Sequence, residues 1–151
     1  MVLLFLHVLA AIIAFGPNFV FPVIGTRVAK DPSMMRFGLG IIHTVRGRIV
    51  IPVALTMPVS GLAMVLILGV HLLRTPYLLV SIAMYVLMVG LGLAVTLPTE
   101  RKVLSLLEAG ASAGSPGLSG SVDRVRKVGM VQFLLLFGIV FLMVFKPGGL
   151  H

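Results

Sequence analysis

Four runs of this 151-residue chain contain no Asp, Glu, Lys or Arg: residues 1–26, 49–73, 75–99 and 128–145. Nothing else in the sequence restricts the fold so strongly. A helix needs roughly 20 residues to cross a hydrocarbon core about 30 Å thick. The tightest run has 18 residues, between Lys127 and Lys146. Backbone polar groups in lipid must be satisfied by the chain itself, so a span is either a helix or a strand of a closed barrel. These runs are continuously apolar and lack the alternation of barrel strands, which selects helices. The expected fold class is an all-α integral membrane protein, a four-helix transmembrane bundle forming one domain over 1–151. Its spans fall at about 2–24, 49–70, 77–97 and 128–145. Charged residues make up 11% of the chain, against about a quarter in soluble domains.

The basic residues set the expected orientation. Arg27, Lys30, Arg36, Arg46 and Arg48 lie between the first two spans, and Arg101, Lys102, Arg124, Arg126 and Lys127 between the last two. Only Arg74 and Lys146 fall on the other side. The positive-inside rule then puts both long connections in the cytoplasm and both termini outside. The first run lacks a basic segment before it, so it reads as an uncleaved first helix and not as a signal peptide. The net charge of +8 is accounted for by topology and by contact with anionic headgroups, so no nucleic-acid partner is expected.

Local signals refine the spans. Pro17 and Pro22 predict a kink near "FGPNFVFP". In "DPSMMRFGLGIIHTVRGR", Met34, Phe37, Ile41 and Val45 recur near helical spacing, with Arg36 and Arg46 available for a polar face. This stretch reads as an interfacial helix or as an inward extension of span two. Span three continues past Pro98 into the amphipathic "TERKVLSLLEA". Residues 109–121, "AGASAGSPGLSGS", hold four glycines and four serines and read as a flexible cytoplasmic linker. Similar flanks around the two hairpins, "PVIGTRVAK" with "PTERKVLSL" and "TVRGRIVIP" with "DRVRKVGMV", fit two hairpins related by an axis along the membrane normal. Gly90, Gly92 and Gly138 would permit close helix approach.

His7 interrupts the first apolar run. Ala11, Ala14, Asn18 and Gly25 follow it on the same helical face, while Leu9, Ile12, Ile13 and Phe15 point elsewhere. Small residues gather where helices meet, so His7 faces the bundle, about one turn below the outer surface. The plain role for it is a hydrogen bond to a neighbouring helix. The sharper role is an axial ligand to heme or copper, since neutral imidazole suits both. Possible companions on the same side are His71 for heme, and His71, Met64 and Met84 for copper, with Met88, Lys146 and His151 nearby; methionine is also an ordinary core filler. His43 lies on the cytoplasmic side and cannot join them.

Other chemistry is poorly supplied. The chain has no cysteine, which removes disulfides, thiolate metal sites and Cys nucleophiles. All four acids lie on the cytoplasmic side, which argues against a carboxylate relay at membrane depth. No hydrolytic triad or phosphate loop is present, so no catalytic residue is assigned and enzymatic activity is not expected.

The opening "LHVLAAIIAFGP" and the closing "FLMVFKPGG" together resemble small bacterial four-helix membrane proteins. The closest likeness is to the predicted integral membrane proteins of the domain of unknown function 2269 family, carried by His7, Gly16, the basic loops, Lys146 and Pro147. More distantly, the chain resembles the copper-resistance D domain and the heme-containing four-helix membrane protoporphyrinogen oxidase. The resemblance to the oxidase implies heme binding at His7. The chain departs from that pattern at Phe15, where tryptophan is frequent. It also has no lysine inside span three, Lys102 lying at the cytoplasmic end.

The reading favoured by the sequence is a small multi-pass membrane protein acting as a structural or accessory subunit. It would meet the lipid bilayer and a larger membrane complex or further copies of itself. The alternatives are a membrane redox protein binding b-type heme or copper through His7, and a carrier or channel for a small neutral solute.

Overall fold

The structure is a computed structural model that describes residues 1–30, 32–111 and 115–147. Helices α1 (Val2–Phe15) and α2 (Pro17–Lys30) make the first span, which breaks at Gly16 because Pro17 cannot donate a helical hydrogen bond. The second span joins α3 (Pro32–Val45) to α4 (Ile51–Ile67) through a π-helical segment, Arg46–Val50. The third joins α5 (Pro76–Leu91) to α6 (Leu97–Glu108) through a second π-helical segment, Gly92–Thr96. Helix α7 (Pro116–Phe145) is the fourth. The described residues thus form four helices long and apolar enough to cross a membrane, with no strand. The anticipated four-helix fold is the one observed.

Both π segments end two residues before a proline, Pro52 and Pro98. A proline ring crowds the carbonyl four residues back, and the wider π turn relieves that clash. The two helices therefore stay continuous, at 34 residues for Met34–Ile67 and 33 for Pro76–Glu108. At 1.5 Å per residue each is about 50 Å long, well beyond the hydrocarbon core. Of the two expectations for "DPSMMRFGLGIIHTVRGR", the inward extension of span two is the one formed.

The helices pair as two antiparallel hairpins. Helix α1 lies on α4 and α2 on α3, while α5 and α6 lie along α7; α3 and α6 join the hairpins. One end of the bundle carries the α2–α3 and α6–α7 connections and most of the basic residues, and is called the basic end below. The other carries Met1, the end of α7 and the α4–α5 connection. Two Schellman-type ends shape these turns. Gly69 and Gly110 adopt positive φ of 63° and 80°. The following amides, of Val70 and Ala111, reach back to the Val65 and Leu106 carbonyls at 3.1 and 3.0 Å.

Burial is uneven along the bundle. The basic end has a packed core of Phe21, Ile42 and Val50, extended by buried Val28, Val103 and Leu118. Towards the termini small residues such as Ala14, Ala54 and Ser81 are buried beside Met57, Met88 and Leu136, while many other large apolar side chains point outward. That division suits helices whose outward faces meet lipid at one level and water at another. Gly138 accepts the Met84 thioether, whose Sδ lies 3.6 Å from where a Cβ would stand, and Gly92 receives the Gln132 amide in the same way at 3.2 Å. Both glycines thus serve packing within the chain, and Gly90 faces open space.

Of the stretch 109–121, expected to be a flexible linker, the part from Pro116 onward is helical. Helix α7 starts at Pro116, with Ser115 in an extended conformation ahead of it. Proline at the first helical position is preset for the helix, and Leu118 and Ser121 are buried. Residues 112–114 lie outside the described residues.

Candidate functional site

Polar side chains in a lipid-immersed bundle mark the places where chemistry or helix pairing occurs. His7 behaves as its helical face required. Ala14 is fully buried, Ala11 is half-buried, and Leu9, Ile12 and Ile13 point outward. His7 Nδ1 lies 2.7 Å from Ser60 Oγ on α4. Ser60 Oγ also lies 3.0 Å from the Met57 carbonyl, to which it donates. Ser60 Oγ thus links His7 Nδ1 to the α4 backbone, and Nε2 takes no part in this contact.

The companions considered for His7 are dispersed. Ser60 stands seven residues before the end of α4 at Ile67, about 10 Å of helical rise, and His71 lies beyond that end, exposed, at the start of a 3₁₀ turn. Met64 is half-buried on α4, and Met84 rests against Gly138 of the other hairpin. Lys146 ends α7 in the left-handed region with φ 44°. His151 lies outside the described residues. Among the described residues no hydrogen bond joins His7 to any of these, and no three His, Asp or Glu side chains are close enough to hold a metal.

Two further contacts cross between helices near the π turns and prolines. Tyr85 Oη donates to the Ala54 carbonyl. That carbonyl would ordinarily receive the amide of residue 58, but Pro58 has none. The phenol therefore satisfies an acceptor that the helix itself leaves open. On α7, Gln132 Nε2 donates to the Met88 carbonyl at 3.0 Å, and Thr96 Oγ1 donates to Gln132 Oε1 at 3.3 Å. Thr96 is the last residue of the π segment and is 1% exposed.

The most charged site lies at the basic end, between the hairpins. Arg46 Nε donates to Glu100 Oε1 at 3.0 Å. The two side chains are only 12% and 6% exposed. Phe21 covers the guanidinium, with Arg46 Cζ 4.9 Å from the ring centroid, a cation–π arrangement. His43 Nδ1 sits 3.5 Å from Glu100 Oε2. Neither of those two buried atoms has a hydrogen-bond partner. Further out, Arg36 and Glu108 lie 3.7 Å apart but remain exposed, so that pair adds little.

Sequence reasoning placed Arg46 on a polar face and His43 apart from any site. The structure turns both inward, onto Glu100. It likewise passed over Tyr85 and Gln132. A signal existed for Tyr85, because Pro58 implies an unpaired carbonyl at Ala54. Gln132 is the only amide side chain in the fourth apolar run, which was the available hint for it.

The family model described as "Predicted integral membrane protein (DUF2269)" matches residues 1–147. The chain belongs to this family. No curated protein and no solved structure matches it significantly. This DUF2269 protein is therefore an integral membrane protein with four candidate spans, and its polar contacts are the ground for any functional reading.

Proposed function

We propose that this DUF2269 protein is a structural or accessory subunit in a bacterial cytoplasmic membrane, with both termini on the outer side. One observation carries the reading: four polar side chains spread along the bundle each engage a neighbouring helix. His7 holds α4 through Ser60, Tyr85 holds α4 through Ala54, Gln132 holds the third span, and Arg46 holds Glu100. Such groups specify which helices pair, a task that lipid leaves to packing and interhelical hydrogen bonds. The orientation is supported by the ten basic residues gathered at one end against two at the other.

Native electrophoresis and crosslinking in source membranes test the role. The expected result is a complex with other membrane chains, larger than the 16.1 kDa of this one. Migration as a lone chain or as copies of itself alone would overturn it. A reporter fused after Ser112 should be active only in a cytoplasmic form.

A second reading, binding of b-type heme or copper by His7, has one observation in its favour. Ser60 fixes Nδ1 and leaves Nε2 free, the way an outer-shell partner orients a ligating histidine. The described residues around it do not complete such a site, since His71 is exposed beyond the end of α4 and Met84 rests against Gly138.

A further inference from the structure

We infer that the outward face of the second span from Met34 to Arg48 is a docking seam for an amphipathic, acid-flanked helix of another protein. The inference rests on the subunit reading above and gives the partner its chemistry. Met34, Phe37, Ile41, Thr44 and Arg48 recur at alternating steps of three and four residues, and all five are exposed. That spacing puts them on one helical face, in the pattern by which a helix meets a second helix along a seam. The bundle itself uses the other face, where Gly38 and Ile42 are buried. Gly40 opens a groove bordered by Arg36, Phe37, Ile41 and Thr44. A side-chain carbon added there would meet nothing within 4 Å, so a partner's backbone can come close.

The outer part of this seam lies too far from the bilayer for lipid to cover it. Exposed Arg48, Arg101, Lys102, Arg126 and Lys127 form a belt at one level. Their common level follows from the contacts of Arg46 with Glu100 and of Thr96 with Gln132. The apolar runs begin inside this belt, which therefore marks the edge of the hydrocarbon. Headgroups add about 5–8 Å beyond that edge. At 1.5 Å per residue, Phe37 and Met34 stand about 16 and 21 Å beyond Arg48, in water. Elsewhere in this extension the chain hides its apolar groups. Among the described residues of 34–45 and 103–124, the exposed large apolar side chains are Met34, Phe37 and Ile41, at 49%, 64% and 39%. The exposed apolar surface outside the membrane is thus gathered on the seam.

Charge selects the occupant. Arg36 borders the groove and Arg48 ends the seam, with Arg27, Arg101 and Lys102 exposed at the same end of the bundle. The exposed acids there, among the described residues, are Glu108 and Asp123. A second copy of this chain would bring like charge against like charge, which disfavours it. A helix with apolar residues along its own seam and Asp or Glu beside them satisfies the strip and the arginines together. Such complementarity fixes the register of the pairing and excludes other partners.

Photocrosslinking tests the seam in the full chain. The photoreactive amino acid p-benzoylphenylalanine is placed at position 37, which is exposed, and source membranes are irradiated before the joined peptides are sequenced by mass spectrometry. The expected adduct is with another protein, at a segment whose apolar residues recur at steps of three and four with Asp or Glu beside them. Its yield should fall severalfold between about 0.1 M and 1 M salt, over which the Debye length shrinks from about 10 to 3 Å. The double substitution Phe37→Gln, Ile41→Gln alters exposed side chains only, so it should leave the circular dichroism unchanged. It should lower the amount of the larger native complex about tenfold or more. Adducts with lipid or with a second copy alone would overturn the inference, as would a joined segment that carries no acids. A double variant that keeps the parent's complex undiminished removes the seam and leaves the subunit reading standing. A parent chain that migrates alone removes the subunit reading, and the seam with it.

Discussion

Replacing Arg46 with methionine removes the partner of a buried carboxylate while roughly keeping side-chain length. Glu100 is 6% exposed and Arg46 12%, so solvent does little to screen either the pair or the charge left behind. Removing one member of a buried pair characteristically costs about 3–5 kcal/mol, most of it the penalty of the stranded ion. Loss of the stacking on Phe21 adds about 0.5–2 kcal/mol. At about 1.4 kcal/mol per tenfold, the folded-to-unfolded ratio should fall by at least two decades. The double substitution Arg46→Met, Glu100→Gln removes the stranded charge and should recover about 2 kcal/mol or more of that loss, because neighbours in one network are not additive. Reversible unfolding of the parent, of Arg46→Met and Glu100→Gln singly and of the double variant, in mixed micelles with increasing SDS and followed by circular dichroism, gives the four corners of the cycle. An Arg46→Met variant within about 1 kcal/mol of the parent would refute the reasoning. A double variant as unstable as the single one would refute it too.

Other contacts give smaller effects. His7→Leu should leave a folded protein, destabilised by about 0.5–1.7 kcal/mol, since Ser60 retains the Met57 carbonyl and intramembrane hydrogen bonds are individually modest; aggregation of the variant in the same unfolding assay would show that His7 does more. Tyr85→Phe strands the Ala54 carbonyl and should cost about 1–3 kcal/mol. Adding Pro58→Ala restores a backbone amide for that carbonyl, so the double variant should be more stable than Tyr85→Phe alone, and equal melting of the two would contradict the assignment. Gly138→Leu should collide with Met84 and lower the melting temperature, with Met84→Ala restoring part of it; a neutral Gly138→Leu would show that the α5–α7 contact is looser than described.

The spans and the inward face of His7 were legible because lipid imposes a simple code. A residue that lipid does not reward must meet another helix, and the Ala11–Ala14 stripe obeyed that rule, with Ala14 fully buried. Which helix it would meet was not legible, since Ser60 is an ordinary mid-helix serine until the hairpin is closed. The charges at the basic end misled for a related reason. Arg46 and Glu100 flank apolar runs, where charged residues normally face headgroups or water. Their burial follows from helices about 50 Å long that carry the bundle past the hydrocarbon core, a length hidden by the charges themselves. The glycine-rich stretch was read as a linker over its whole extent, whereas Pro116 and the burial of Leu118 begin α7 inside it. Composition there described the turn but not its limits.

The central claim is that His7, the most conspicuous polar residue of the first span, pairs helices and does not hold a prosthetic group. An absorption spectrum of the protein purified from its own membranes, beside that of His7→Ala, tests this most directly. The account predicts that both preparations fold and that neither shows a Soret band. A Soret band in the parent that disappears in His7→Ala would contradict it and make His7 a heme ligand.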